Sequence, residues 1–200
     1  MSPQAPTSNA PDPDPDPDPD PEASTPDAPG LGAPNLDALL RHFADLRDGH
    51  HGGAVTRPDK EEHFRTAARL LDPYARQALT ELNDELLLGQ GVVDASGVQR
   101  ADDGSLFHAW TLWWDEQSTA DIPPVTLYAH YGAGFHHPHL RGATVSEWPL
   151  NVFDDAQAAA ELPTMRAIAA ADLHNLVFER DFRIVPATVA GATGLPVPQH

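Results

Sequence analysis

The chain has 200 residues, a formal net charge of −18, 11 histidines and no cysteine. Without cysteine it has no disulfide framework, no thiolate-held zinc or iron–sulfur cluster and no cysteine nucleophile. Because 12 Lys and Arg residues stand against 30 Asp and Glu residues, the chain cannot neutralise a row of phosphates, and we expect neither nucleic-acid nor anionic-membrane binding.

The first 34 residues predict a disordered acidic arm. They hold seven carboxylates, no Lys or Arg and 11 of the 21 prolines, which leaves a net charge of −11 for residues 35–200. The Asp-Pro repeat from Pro11 to Pro21 fixes φ at every second residue and favours an extended polyproline-II-like chain. No basic start or apolar run typical of a signal peptide is present, so we expect a cytoplasmic protein.

One domain is predicted over residues 35–187, followed by a loosely ordered tail over 188–200. Its first helix begins at the cap Asn35 and stops at Gly49, with apolar residues at helical spacing: Leu36, Leu39, Leu40, Phe43 and Leu46. Asp59 with Glu62 forms a capping box for a helix over about 59–70. Asp72-Pro73 indicates a further helix start, over about 73–88.

Strand patterns take over at Gly91. Short segments near Val92-Val93 and Val98 precede the two strongest strands, Leu106–Trp114 and Pro124–Tyr131. The remaining predicted elements are an edge strand over Thr144–Val152, a helix over about 155–178 broken at Pro163, and a last strand over Phe182–Val185. The predicted fold class is therefore α+β, an antiparallel meander of about four to five strands packed against N-terminal helices and one late helix.

Aromatic residues concentrate in the middle of the chain, where eight of the 14 lie between Phe107 and Trp148. Alternation along the first strong strand places His108, Trp110 and Trp114 on one face. Such a face is either core or the wall of a ligand pocket. If residue 108 pairs near residue 130, His108 and His130 share a face beside Trp110 and Tyr128.

The segment from His130 to Gly142 is the main candidate site. It contains four histidines and Arg141 within 12 residues, around Gly132, Gly134 and Pro138. In an extended chain His137 and His139 point the same way, and His130 supplies a third imidazole across the glycine turn. These three are the predicted metal ligands, with Glu147 or His174 completing the site. A divalent transition metal fits, and Zn, Fe and Mn are not distinguished.

Two other interpretations of this segment stay open. In one, the histidines only bind backbone groups of a surface loop. In the other, Arg141 and His136 bind a carboxylate or phosphate. The predicted ligand-binding residues are His136, Arg141, His108, Trp110, Trp114, Tyr128, Trp148 and His174. The pair His50-His51 is predicted to lie exposed on a flexible loop, with metal binding as the lesser alternative.

Several reaction classes lack their motifs. No G-x-S-x-G elbow, Walker A loop or dinucleotide-binding glycine motif occurs, and the one lysine, Lys60, lies among acids. We therefore expect no NAD, PLP or iron–sulfur cofactor. Two functions remain: a small-molecule or metal-binding domain, with or without metal-dependent catalysis, and a non-catalytic acidic adaptor or chaperone-like module acting as a homodimer. The scarcity of Lys beside Arg, Ala and Pro indicates a GC-rich bacterial source.

Overall fold

A computed structural model describes residues 33–189, so most of the predicted arm and most of the predicted tail lie outside the described residues. The helices are α1 (Ala33–Asp48), α2 (Arg57–Leu86), α3 (Asp115–Thr119), α4 (Asp155–Ala160), α5 (Leu162–Glu179) and α6 (Pro186–Val189). The strands are β1 (Val92–Ala95), β2 (Gln99–Arg100), β3 (Leu106–Trp113), β4 (Val125–Tyr131), β5 (His139–Arg141) and β6 (Trp148–Pro149). A 3-10 turn, Phe182–Ile184, precedes α6.

The strands form one antiparallel sheet in the order β1-β3-β4-β5-β6, with β2 also paired to β3. The predicted α+β fold is confirmed. The strand predicted over Thr144–Val152 shrinks to β6, because Asp172 of α5 accepts from the Thr144 amide at 2.6 Å and removes it from strand pairing. Pro149, which has no amide proton, ends the ladder. The additional strand β5 comes from the predicted histidine loop.

The register of the central hairpin differs from the prediction by one residue. His108 lies opposite Ala129, and His130 lies opposite Phe107. Because side chains alternate along a strand, this single step puts His108 and His130 on opposite faces of the sheet. The predicted pairing of these two imidazoles is therefore wrong.

Helices α2 and α5 cover one face of the sheet, and the core lies between them and the strands. Alternate residues of β3 and β4 are buried there, while the other face, the outer face, is only half-buried. Trp110 and Trp114 are both buried on the core side. The indole nitrogen of Trp110 donates to Asp72 at 2.9 Å, and that of Trp114 donates to the Ile184 carbonyl at 2.6 Å.

Helix α2 runs through Pro73 without a break, so the two predicted helices are one helix of 30 residues. It starts at Arg57, two residues before the predicted cap, and Thr56 accepts from the Asp59 amide. Asp72 binds Trp110 and Arg76 through its carboxylate and does not cap a second helix. The buried face is continuous on both sides of the proline, and burying it offsets the roughly 3 kcal/mol cost of an interior proline.

The predicted helix α1 forms, and its apolar residues Leu36, Leu40 and Phe43 are 63%, 68% and 58% exposed. One prediction fails at the end of the domain. The predicted strand Phe182–Val185 is a 3-10 turn, capped by Asp181, which accepts from the Arg183 amide. The predicted break at Pro163 is confirmed, since α5 starts at Leu162. Within residues 33–189 no helix combines the length and apolarity that crossing a bilayer requires.

Candidate functional site

Asp45, His51 and His137 converge from three separate segments. Each offers one ligand atom, and these atoms lie within 4.8 Å of one another. Nδ1 of His51 is 3.9 Å from a carboxylate oxygen of Asp45. Among the described residues this is the one group of three potential metal ligands that meets so closely.

Asp45 and His51 are joined by the turn that follows α1. Asp45 lies in the last turn of that helix, and its carboxylate accepts from the Gly52 amide at 2.8 Å. His51 and Ala54 exchange two backbone hydrogen bonds, of 2.9 and 3.0 Å. Gly52 has φ +56, and a Cβ there would lie 2.2 Å from the Phe153 ring. The turn therefore requires glycine at this position.

His137 is brought to this turn by the first two turns of α2. Arg57 donates to the carbonyl of Gly132 at 2.8 Å and lies 3.6 Å from the centre of the Tyr131 ring. Lys60 donates to Gly49 at 2.8 Å and to His136 at 3.5 Å. Lys60 is 5% exposed, so its ammonium is buried between the two loops that carry His51 and His137. It fixes their separation.

The two histidines are buried without partners. His51 is 0% exposed and His137 is 2% exposed, and none of their four ring nitrogens has a hydrogen-bond partner. Buried polar atoms are normally paired, so these four nitrogens lack the partners that buried imidazoles usually have. Burial lowers the pKa of His51 to about 3 and that of His137 to about 4. Both imidazoles are therefore neutral at pH 7, which is the form that binds metal.

Further imidazoles surround the three residues. The ring of His42, one turn before Asp45 on α1, lies 4.9 Å from that of His137. Nδ1 of His63 lies 3.0 Å from the His51 carbonyl oxygen and hydrogen-bonds to it. Burial lowers the pKa of His42 as well. His42 is thus placed to act as a fourth ligand or as a hydrogen-bond partner of a bound molecule.

Two imidazoles and one carboxylate form a recognised donor set for divalent transition metals. Ligand atoms 2.1 Å from a tetrahedral metal are about 3.4 Å apart, and the three atoms here lie within 4.8 Å of one another. Coordination of one metal therefore requires these atoms to move closer together. The set uses three coordination positions and leaves the others open.

The predicted ligands His130, His137 and His139 are divided by the fold. His130 and His139 are paired across β4 and β5 on the outer face, and the Phe135 ring packs against both, with centroids 5.6 and 5.2 Å away. Nδ1 of His139 is 3.7 Å from Glu147. His137 precedes β5 and turns toward α1 instead. The close group therefore keeps His137 and contains neither His130 nor His139.

The predicted ligand-binding residues are also dispersed. His108 is buried against Trp110 in the core, with ring centroids 4.1 Å apart. Trp148 packs against the core from β6. Arg141 stacks on Tyr128 of the outer face, 4.6 Å from the ring centre. Among the residues that the structure describes, the close Asp45 group contains none of these side chains and neither Trp110 nor Trp114.

His136 is exposed and lines one cavity together with His42 and His137, and its carbonyl oxygen accepts from Lys60. His174 is exposed on α5, stacked on Phe178. The prediction that His51 is exposed is wrong, because the turn folds inward under α1. The overlooked signal is the pair His42 and Asp45, three residues apart and hence on one helix face.

Comparison of the chain with protein-family models, with curated proteins and with solved structures found no match.

Proposed function

We propose that this protein binds a divalent transition metal through Asp45, His51 and His137. The observation that supports this most strongly is the meeting of one carboxylate with two buried imidazoles whose ring nitrogens have no other partner. Leaving such atoms unpaired costs about 1–3 kcal/mol each. Metal coordination removes that cost for one nitrogen of each ring, since an imidazole binds a metal through a single nitrogen.

The surrounding contacts support a site held in shape before the metal arrives. Lys60 joins the two histidine loops, and the Gly52 amide orients Asp45. Imidazoles favour Zn and Fe(II) over Mg or Ca. The open coordination positions suit a Lewis-acid role, so metal-dependent catalysis is included in the proposal. Cytoplasmic localisation and a bacterial source stay predictions from composition.

Metal analysis of tag-free protein tests this proposal. We expect about one equivalent of Zn, Fe or Mn in the purified protein, and one Zn²⁺ site by calorimetry after chelator treatment. His51→Ala and His137→Ala should each weaken Zn²⁺ binding by at least roughly 100-fold. Both variants must retain the wild-type circular dichroism spectrum for this result to count.

Two matched substitutions serve as controls. His50→Ala changes the residue before His51, and His130→Ala changes a predicted ligand on the outer face; both should leave Zn²⁺ affinity unchanged. Metal-free protein that binds no Zn²⁺, Fe²⁺ or Mn²⁺ would overturn the proposal. If His130→Ala loses Zn²⁺ binding and His51→Ala retains it, the metal site lies on the outer face of the sheet.

A second candidate function is protein interaction, and the exposed face of α1 favours it. Leu36, Leu40 and Phe43 recur at helical spacing and are more than half exposed. A stripe of this kind is typical of an interface. Arg47 near its end binds Asp48 of the same chain through two contacts of 2.7 Å, so the stripe ends in a neutralised pair. Antiparallel packing of two copies buries the apolar stripe of each against that of the other, and a homodimer is the occupant we propose.

Light scattering after size-exclusion chromatography tests the dimer. We expect a dimer mass for the wild type and a monomer mass for Leu40→Asp, with Thr80→Asp, on the exposed side of α2, as the control. A monomeric wild type at high micromolar concentration would overturn the homodimer.

A further inference from the structure

A cavity of about 330 Å³ lies beside the proposed metal ligands and shares His137 with them. Its walls combine imidazoles with apolar side chains: His42, His136, His137, His139, Leu46 and Phe135. Ligand pockets have volumes of about 300–1,000 Å³, so this one suits a small molecule. An added Cβ at Gly134 meets nothing within 4 Å, which marks the open side of the cavity.

The rings of His42 and His139 line the cavity. Their Nδ1 atoms are buried, and that of His139 is 3.7 Å from Glu147, so these atoms do not meet a molecule in the cavity. A neutral imidazole has one donor and one acceptor nitrogen. The Nε2 edge of each ring is therefore the one that can donate to an oxygen atom of a molecule that reaches the metal.

The charges select the kind of molecule. A divalent metal with Asp45 as its one anionic ligand keeps a net charge of +1, and neutral imidazoles do not change it. The Lys60 ammonium, between the loops that carry His51 and His137, adds one positive charge, and the Glu147 carboxylate, 3.7 Å from His139, adds one negative charge. These two cancel, so one further negative charge neutralises the site and a doubly charged anion leaves it negative. The cavity lining contains no Lys or Arg.

The apolar walls select the rest of the ligand. Phe135 is 39% exposed and Leu46 is 47% exposed. The Phe135 ring is held edge-on to His139, with centroids 5.2 Å apart, so its position is defined. An aryl or alkyl group placed there is removed from water, which favours binding in proportion to the apolar surface that is buried.

We infer that the cavity binds a small monocarboxylate with an apolar body, whose carboxylate coordinates the metal while its body contacts Phe135 and Leu46. His42 and His139 donate to the carboxylate oxygens and orient it. This inference rests on the proposed metal site, and it names the class of substrate or ligand that the site takes.

Absorption spectroscopy of the Co²⁺-loaded protein tests the inference with benzoate as the probe. The visible bands of protein-bound Co²⁺ report the metal site itself, and their change on adding benzoate reports coordination of the carboxylate. We expect saturable changes with benzoate, none with benzyl alcohol, and at least fivefold weaker binding of phenyl phosphate.

The variants separate the two proposals. Phe135→Ala and Leu46→Ala should each weaken benzoate binding about five- to tenfold while the Co²⁺ bands and Co²⁺ affinity stay as in the wild type. Phe178→Ala, at a residue 85% exposed on α5, should behave as the wild type. Two results would overturn this inference alone. In one, the Co²⁺ bands are normal and benzoate does not change them. In the other, the Phe135 and Leu46 variants bind benzoate as tightly as the wild type. Absence of the Co²⁺ bands overturns the metal site, and the inference with it.

Discussion

Nζ of Lys60 donates a hydrogen bond of 2.8 Å to the carbonyl oxygen of Gly49. The same ammonium reaches the His136 carbonyl at 3.5 Å. Each acceptor lies next to a segment that carries a proposed metal ligand, since Gly49 precedes His51 and His136 precedes His137. One buried lysine on α2 thereby links two loops that are about 85 residues apart in the chain.

Replacing this lysine should weaken both folding and metal binding. In Lys60→Met the two carbonyl oxygens lose their donor, which we expect to cost about 1–3 kcal/mol of unfolding free energy. Zn²⁺ affinity should fall about tenfold, because the loops are no longer held together. Urea unfolding and calorimetry measure the two effects. Arg69→Met, on the exposed side of the same helix, should change neither; equal effects in both variants would contradict the linking role.

The turn after α1 offers a paired test of two glycines. Gly52 and Gly53 both have positive φ, +56 and +83, but a Cβ at Gly52 would lie 2.2 Å from Phe153 while one at Gly53 meets nothing within 4 Å. Gly52→Ala should therefore destabilise the protein by about 1–3 kcal/mol more than Gly53→Ala. It should also weaken Zn²⁺ binding, because the Gly52 amide orients Asp45. Similar melting temperatures for the two variants would contradict this prediction, because they would mean that the turn and the Phe153 ring shift to accommodate the added methyl group.

Stability of the metal-free protein should fall as the pH falls from 7 to 5. Burial lowers the pKa of His51 to about 3 and that of His137 to about 4, whereas in the unfolded chain both are near 6.5. Below that pH the unfolded chain binds protons that the folded chain does not, so the free energy of unfolding decreases. Well above pH 6.5 both histidines are neutral in the folded and in the unfolded chain, so this loss of unfolding free energy does not occur there.

Urea unfolding in the presence of a chelator at pH 7.5 and 5.5 measures this dependence. His137→Gln should reduce the difference between the two pH values, and His174→Gln, at an exposed position, should not. An unchanged difference in His137→Gln would mean that its imidazole is protonated as easily in the folded chain as in the unfolded one.

Helix α2 should become more stable when its interior proline is removed. Pro73 is exposed, and it lacks the amide that an interior helical residue donates. Alanine is about 3 kcal/mol more favourable there, and about 1 kcal/mol is returned because the unfolded chain gains freedom. Pro73→Ala should thus raise the melting temperature by about 5 °C. Gln77→Ala, one turn further, is the control; a lower melting temperature for Pro73→Ala would show that the proline shapes the helix for packing.

Much of the fold was predictable because local patterns determine it. The alternation in Leu106–Trp114 and Pro124–Tyr131 identified the central hairpin, and the break near Pro163 identified the start of α5. The register was not predictable, because a shift of one residue changes the face of every side chain but leaves the pattern intact. Pro73 predicted a second helix start that does not occur. The free energy gained by burying apolar residues on both sides of it exceeds the local cost of a proline inside a helix.

The sequence by itself determined the composition and the position of the histidine-rich segment around His137, because residue type and spacing are local properties. Which histidines meet was decided by the tertiary structure. His51 and Asp45 lie 86 and 92 positions from His137 in the chain, and their approach depends on Lys60, Gly52 and the packing of α1. The sequence pointed to a cluster of neighbours in the chain, whereas the proposed site joins residues that only long-range contacts bring together.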